Sequence, residues 1–592
     1  MNRKQRRATG KLAPRDPPAD VAARFGEAIR HHRDGRLDEA DRLYRQILAR
    51  DPRHAESLHQ RGMIALQAGR LDLAAERIAK AVALSPDDPW YLTNLGAVLH
   101  KLGRLDDAIA CHCRAIELKP AYADAHNNLG AVLLHQWRFD EAQACFDRAL
   151  EINPGYAEAH TNLGNALREK RRLDEAVACQ RRAIELAPGY AEAHNSLGSA
   201  LQDLGRLDEA VACYHRALAL KPGCVEAHTN LGTAMNELGR LDEAFACYRR
   251  AIALGPDYPE VHWQYAYALL SDGQFRQGWE EYHWRWRRTT GPQPVLPDYS
   301  QPMWAGEPAD GRTMLLWSEQ GFGDRLHFVR YVPDVVRLGW RVILVTSRPM
   351  KRLFAAIAGI TLIEEGEAPP AFDVHCPLLS LPRAFGTTLD TIPAPIPYLH
   401  PAPELVARWR DRLSALPGLK VGVVWRGNPQ HNRDRQRSMN SGLFARFLDL
   451  PGLAVVSLQL DGRAEELAAL GGGEAVLNAG PELGDYADTA ALVANLDLVI
   501  AVDTSVCHLA GALGIPTWTL VDFAAEWRWL RNRDDSPWYP TMRLFRQPTP
   551  GDWPAVVERV RAELASNSRL CAAPSRIIIS ARNNLPQEDC AP

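Results

Sequence analysis

The chain has 592 residues, which is enough for several domains. Hydrophobic residues make up 46% and charged residues 24%, the proportions of an ordinary globular protein rather than of a disordered or fibrous one. The formal net charge of −3 provides no overall basic field, which argues against a nucleic-acid-binding protein.

The start of the chain is basic, and no acidic residue precedes Asp16. Residues 1–20 lack the apolar core of a signal peptide, so we predict a disordered tail, with contact to an anionic surface as the alternative. No apolar run reaches the roughly 18 residues that a membrane span needs. A cytoplasmic location is the default expectation.

From about residue 21 to 290 the sequence repeats with a period of 34 residues. Prolines recur at this step from Pro52 to Pro256 and glycines from Gly62 to Gly232. The alanines of the series are Ala40, Ala74, Ala108, Ala142, Ala176, Ala210 and Ala244. This period is that of tetratricopeptide repeats, so the pattern predicts an α-solenoid of stacked helix–turn–helix units.

Seven regular units run to about residue 258, and an eighth begins near 259. The eighth has Ala266 at the glycine position and Gly278 at the alanine position, and it then becomes aromatic. The aromatic residues are Trp279, Tyr282, Trp284 and Trp286. We predict a cap that docks the solenoid on the next domain, since terminal repeats are atypical; an exposed aromatic platform for a ligand is the alternative.

The cysteines follow the same period, as Cys111, Cys145, Cys179, Cys213 and Cys247. A cysteine that fills one position in successive repeats behaves as a small apolar packing residue. The Cys111 and Cys113 pair lacks a complementary second cluster, so we predict no zinc site.

An asparagine recurs at one position of the first helix, with Gln60 and Ser196 as variants. These residues are Asn94, Asn128, Asn162 and Asn230. An amide both donates and accepts hydrogen bonds, so a row of amides can hold the backbone of an extended peptide. The row resembles the asparagine ladder of protein O-GlcNAc transferases. The alternative is that the amides only bond neighbouring repeats.

Histidines recur two residues before the asparagine position, and we interpret them as packing residues rather than metal ligands. Five imidazoles on separate repeats do not converge on one ion. They are His126, His160, His194, His228 and His262.

After a linker predicted at residues 291–309, short apolar runs alternate with helical stretches. The runs lie at 313–317, 341–346, 372–376, 420–425, 454–458, 496–502 and 517–521. This alternation predicts two Rossmann-like α/β halves with parallel sheets, at 310–400 and 418–565. A proline-rich linker at 401–417 separates them, a tail follows at 566–592, and a ligand cleft is expected at the carboxyl ends of the strands.

Three loops follow predicted strands. Residues 318–327 contain glycines for a tight strand-to-helix turn and place Asp324 at a helix start, where it faces the cleft or caps the helix. Residues 503–508 form a second strand-to-helix turn, whose amides suit a diphosphate. Residues 425–429 lead to a basic loop with Arg433, Arg435 and Arg437, which either neutralises phosphate or is solvated.

These loops resemble those of heptosyltransferase-type glycosyltransferases with the GT-B fold. Residues 279–286 and 536–541 resemble bacterial proteins that fuse tetratricopeptide repeats to such a domain. The resemblance implies that Asp324 is the general base and that Asp503 contacts the donor sugar. It further implies donor contacts from Thr504, Ser505, His508, Arg437 and Gln459.

The sequence thus suggests an inverting glycosyltransferase that moves a sugar from a nucleotide-sugar to a protein hydroxyl held by the repeats. Residues 297–565 contain no Asp-x-Asp motif, so we expect no metal and no cofactor. One alternative acceptor is a lipopolysaccharide or other glycan, with the repeats recruiting partners. Another alternative is a scaffold without catalytic activity.

Overall fold

A computed structural model describes residues 18–288, 296–393, 395–429, 434–446, 448, 450–470 and 476–568. Most of the two predicted tails, at 1–17 and 569–592, and Arg433 lie outside these ranges. The chain forms two compact units, residues 1–231 and 232–592. None of the helices described has the length and apolar character needed to cross a membrane.

Between Pro18 and Tyr282, helices alternate with short turns in antiparallel pairs. They are α1 (Pro18–Arg33), α2 (Leu37–Arg50), α3 (Ala55–Gln67), α4 (Leu71–Leu84), α5 (Pro89–Lys101), α6 (Leu105–Leu118), α7 (Ala123–His135), α8 (Phe139–Ile152), α9 (Ala157–Glu169), α10 (Leu173–Leu186), α11 (Ala191–Asp203), α12 (Leu207–Leu220), α13 (Val225–Glu237), α14 (Leu241–Leu254), α15 (Pro259–Ser271) and α16 (Phe275–Tyr282). The predicted solenoid is confirmed.

The periodic glycines allow the two helices of each repeat to press together. A Cβ built on Gly130 would lie 2.6 Å from the Phe146 ring, and one on Gly198 would lie 2.6 Å from the Tyr214 ring. The same contact recurs in the other units, against a residue 16 positions later. The periodic alanines are fully buried at the same interface. Both series are therefore steric requirements of the helix pair.

The eighth repeat packs against the α/β region, as predicted. Trp279 is buried and donates its indole N–H to the carbonyl oxygen of Thr387 at 3.1 Å. Its ring meets Trp527 edge-on with centroids 5.2 Å apart. A 3-10 helix, His283–Arg287, continues the repeat. The docking interpretation of these aromatic residues is confirmed.

The first α/β half contains a four-stranded parallel sheet in the order β3-β2-β1-β4. Its strands are β1 (Thr313–Trp317), β2 (Arg341–Thr346), β3 (Ile360–Glu364) and β4 (Val374–Pro377). Its helices are α17 (Phe322–Phe328), α18 (Val332–Arg337), α19 (Arg348–Phe354) and α20 (Leu381–Ala384).

The second half contains a six-stranded parallel sheet in the order β10-β9-β8-β5-β6-β7. Its strands are β5 (Leu419–Val424), β6 (Leu453–Ser457), β7 (Val476–Asn478), β8 (Leu498–Val502), β9 (Thr517–Val521) and β10 (Met542–Arg546). Its helices are α21 (Pro403–Leu413), α22 (Asp434–Arg437), α23 (Ser441–Ala445), α24 (Ala464–Ala469), α25 (Tyr486–Val493), α26 (Ser505–Ala512) and α27 (Trp553–Ser568). The predicted parallel α/β class is confirmed.

Three strands were not predicted: β3, β7 and β10. All three lie at sheet edges. An edge strand is partly solvated and needs no continuous apolar run, as the two arginines of β10 illustrate. Inside the interval predicted as a linker, residues 403–413 form α21. Pro403 suits a first helical position, and Trp409 and Leu413 are buried.

Candidate functional site

The two sheets each have a switch point, where the strand order reverses and ligands of α/β proteins bind. In the first sheet it lies between β1 and β4, and in the second between β5 and β8. The loop after β1 leads to Asp324, the loop after β8 to residues 503–508, and the loop after β5 to Arg437. The sequence-predicted residues therefore lie at the edges where a ligand site is expected.

Helices α17 and α26 bring the β1 and β8 loops together. A Cβ built on Gly323 would lie 3.0 Å from Cδ2 of His508 and 3.7 Å from Cα of Ser505. The Tyr486 hydroxyl donates to Oγ of Ser505 at 2.8 Å, and its ring lies 5.3 Å from that of Phe322. Glycine at position 323 thus permits the close approach of the two helix starts.

Asp324 is the third residue of α17, where the helix dipole favours a negative charge. Its carboxylate forms an ion pair with the guanidinium of Arg528, from the loop between β9 and β10. The Asp324 side chain is 18% exposed and that of Arg528 is 7% exposed. Burial opposes the charge of the guanidinium, but the carboxylates of Glu526 and Asp324 outweigh it and raise the pKa of Arg528.

The Tyr539 hydroxyl forms hydrogen bonds with His508 and with His327. The Nδ1 atoms of His508 and His327 lie 3.0 Å and 2.9 Å from the Tyr539 hydroxyl. A hydroxyl has one proton, so Tyr539 donates to one ring and accepts from the other. Burial holds the pKa of both histidines well below its usual range. His508 can therefore form hydrogen bonds at the predicted donor site, but it adds no positive charge there.

Arg437 joins the β5 and β8 loops. Its Nη1 donates to the backbone oxygen of Asp503 at 3.2 Å, and its Nε donates to Asp434 at 3.3 Å. A Cβ on Gly427 would lie 2.6 Å from Nη2 of Arg437, so glycine at this position lets the guanidinium lie directly against the backbone. The arginine is thus fixed beside the turn at 503–508.

The turn itself is partly buried. Burial raises the pKa of the Asp503 carboxyl. Thr504 is the N-cap residue of α26, and its side chain makes no capping hydrogen bond. The other predicted donor residue, Gln459, follows β6 and donates from Nε2 to Asp461 at 2.8 Å. Because β6 lies next to β5, Gln459 lies at the same sheet edge as Arg437.

Arg528, Glu526 and Tyr539 were not predicted as site residues. Arg528 is 204 positions from Asp324 in sequence, so no local spacing connects them. The sequence feature that could have indicated this loop is the alternation of two charged residues, Glu526 and Arg528, with two tryptophans at 526–529. Among the described residues, no group of three or more His, Cys, Asp and Glu side chains could hold a metal ion. Independence from metal stays a prediction.

Alternate members of the asparagine row form a hydrogen bond to a side chain of the preceding repeat. Asn94 Nδ2 lies 2.9 Å from Nε2 of His59, and Asn162 Nδ2 donates to Oδ1 of Asn127 at 2.9 Å. Asn230 Nδ2 donates to Oδ1 of Asn195 at 3.1 Å. Asn128 instead accepts a 3.4 Å bond from the adjacent Asn127. All four row residues are half-buried, and their role in peptide binding stays a prediction.

The periodic histidines act as packing residues. In each of the five, Nε2 lies 2.9–3.1 Å from the carbonyl oxygen of the proline six residues earlier. Each ring can therefore donate a hydrogen bond to its own inter-repeat turn.

Comparison with known proteins identifies the repeats. Profiles described as tetratricopeptide repeat match residues 25–89, 78–110, 122–189 and 195–259, and one described as TPR repeat matches 98–136. Tetratricopeptide repeats are present in this chain. They support an interaction with a protein partner.

The chain is 31% identical to Protein FlbA of Caulobacter vibrioides in a 329-residue alignment that covers 50% of this chain and 54% of FlbA. The match thus spans about half the length of this relative. Among solved structures, YrrB, described as a TPR protein with an unusual peptide-binding site, is 26% identical, with a TM-score of 0.25 and coverage of 32% of this chain and 96% of YrrB. A thermophilic TPR protein of Thermus thermophilus is 28% identical, with a TM-score of 0.29 and coverage of 31% and 100%.

Proposed function

We propose that the second unit is an inverting, metal-independent glycosyltransferase of the GT-B type. It transfers a sugar from a nucleotide-sugar to a hydroxyl of a polypeptide that the repeats hold. The observation that supports this proposal is the meeting of two sheet edges, one with Asp324 and the other with Arg437 and residues 503–508. A carboxylate opposite a phosphate-binding edge suits group transfer from a nucleotide-linked donor.

In the proposed reaction, Asp324 accepts the proton of the acceptor hydroxyl. The hydroxyl oxygen forms a bond to the anomeric carbon of the sugar while the bond from that carbon to the phosphate oxygen breaks. The nucleoside diphosphate leaves with the electron pair. Arg437 and the start of α26 stabilise the charge that develops on it.

Donor binding is tested first, by thermal unfolding of the full chain with a set of nucleoside diphosphates and nucleotide-sugars. A donor at 100 times its Kd adds about 2.7 kcal/mol to the free energy of unfolding, so the melting temperature should rise. If none of these compounds shifts the melting temperature, the proposed enzyme is wrong and the scaffold alternative is favoured.

Catalysis is then tested with Asp324→Asn. The variant should keep the donor-induced shift but lose about 10²- to 10⁴-fold in kcat for transfer or donor hydrolysis, because the amide cannot accept the proton. Asp334→Asn is the matched control, since Asp334 lies in α18 and pairs with Arg337. Unchanged kcat in Asp324→Asn would refute the role of the base. A free glycan that is modified as fast as a polypeptide would favour the glycan acceptor.

A further inference from the structure

The loop at residues 526–532, between β9 and β10, inserts Arg528 among carboxylates and aromatic rings. Its guanidinium pairs with Asp324 from the first half and with Glu526 from its own loop. It lies 4.2 Å from the ring centroid of Trp527 and 5.4 Å from that of Phe328. Arg528 is thus fixed on several sides, and the carboxylate that it pairs with from the other half is the candidate base.

The backbone of this loop is strained. Leu530 has φ +45° and Asn532 has φ +52°, in the region that residues with a Cβ rarely adopt. Leu530 is also buried. Strained backbone persists where neighbouring contacts hold it, and it is concentrated at functional sites.

Two arginines hold the strained loop in place. Arg546 donates from Nη2 to the carbonyl oxygen of Trp529 at 3.1 Å. Arg531 donates from Nη2 to the backbone and side-chain oxygens of Asn236, at 2.8 Å and 2.7 Å. Asn236 lies in the last turn of α13, in the part of that helix that belongs to the second unit, and it anchors the loop. These contacts fix the position of the Arg528 side chain.

We propose that Arg528 is a positioning residue, which orients the Asp324 carboxylate for proton abstraction. This inference rests on the proposed transferase function. A guanidinium presents a planar fork of N–H donors, so it fixes the direction in which a carboxylate points. Glu526 takes the other part of the fork and keeps the guanidinium from turning.

Other titratable groups lie near the pair and bear on any pH dependence. They are Tyr267 and Tyr282 of the eighth repeat, Glu319 of the β1 loop, His327, His508, Asp503 and Glu526. Burial raises the pKa of the tyrosines and lowers the pKa of the histidines, so these four stay neutral near pH 7.

The test compares Arg528→Met and Arg528→Lys with the full-length wild type. Arg528→Met should lower kcat about 100-fold and leave the donor KM within about threefold. The reason is that the carboxylate loses the group that holds its direction, while none of the proposed donor contacts is changed. Arg528→Lys keeps the charge but loses the planar fork, so kcat should fall about tenfold, less than in the methionine variant.

Arg533→Met is the matched control, because Arg533 lies on the same connection between β9 and β10 and also pairs with a carboxylate. Its Nε donates to Oδ1 of Asp535 at 2.6 Å. Its kinetics should equal those of the wild type. Wild-type kcat in Arg528→Lys, or an effect of Arg528→Met on the donor KM alone, would overturn the positioning role. The lysine variant decides the case if the methionine variant does not fold. A wild type without any transfer or donor hydrolysis would instead refute the proposed function itself.

Discussion

Single residues decide the turns between the helices of each repeat. Two residues after the first helix of each repeat ends, the chain adopts positive φ. Glycine occupies this position in six repeats, among them Gly103 and Gly205. Trp137 and Arg171 stand at the same position with φ of 62°. A left-handed conformation costs a residue with a Cβ roughly 1–2 kcal/mol. These two repeats are therefore less stable locally than their neighbours.

Trp137→Gly removes backbone strain of about 1 kcal/mol from the first unit. It also removes a half-buried indole, which is 52% exposed and lies 5.7 Å from the Phe139 ring, so the lost burial opposes this gain. Denaturant unfolding measures the change. Gly103→Ala is the reverse test: a Cβ at Gly103 meets nothing within 4 Å, so its expected loss of about 1 kcal/mol comes from φ alone. Unchanged stability in Gly103→Ala would contradict this explanation.

At the scale of elements, the 3-10 helix His283–Arg287 supports the loop that follows β1. Arg285 and Glu319 form an ion pair with an Nη2 to Oε1 distance of 2.8 Å, and their side chains are 1% and 0% exposed. The same Nη2 donates to Ser380 at 2.7 Å, after β4. The eighth repeat therefore contacts both loops of the first switch point. The eighth repeat thus supports the loop that leads to Asp324, in addition to capping the solenoid.

Arg285→Met should destabilise the second unit by about 3–5 kcal/mol, because it leaves the Glu319 carboxylate buried without its cation. The double variant with Glu319→Gln should lose less than Arg285→Met alone, since no charge remains to be buried. Arg383→Met is the control: Arg383 pairs with Glu280 near the surface, and loss of such a pair costs about 0–1 kcal/mol. Equal melting temperatures for Arg285→Met and Arg383→Met would contradict the buried-pair argument.

At the scale of the whole molecule, the proposed function needs the repeats to hold an acceptor that the second unit modifies. The half-buried asparagines of the first unit are the candidate contacts. They also bond neighbouring repeats, so their loss affects stability as well as binding. Stability and acceptor binding must therefore be measured separately.

Asn162→Ala with Asn230→Ala should raise the KM for a polypeptide acceptor roughly 10- to 30-fold, if each amide contributes one hydrogen bond of about 1 kcal/mol. The kcat should stay unchanged, because neither residue belongs to the second unit. Asn153→Ala is the control, since Asn153 is exposed and its side chain accepts from Gly155 in its own turn. An unchanged KM in the folded double variant would leave the amides with a purely structural role.

The sequence alone determined the solenoid, because each repeat is stabilised by contacts with adjacent units. Gly130 and Phe146, for example, are 16 residues apart, so the packing requirement recurs in the sequence with the period itself. The interior strands could also be predicted from the sequence, because a strand buried on both faces requires an apolar run. The edge strands β3, β7 and β10 were missed because they carry no such run, whereas the edge strand β4 is buried along its length and was predicted.

Only the tertiary structure decided which groups surround Asp324. The sequence placed Asp324 at a helix start and residues 503–508 at another, because strand–turn–helix patterns are local. The partner of Asp324 is Arg528, and the residue that joins His327 to His508 is Tyr539. These contacts connect different halves of the second unit. No periodicity or spacing encodes them, since they depend on how two separately formed sheets pack together.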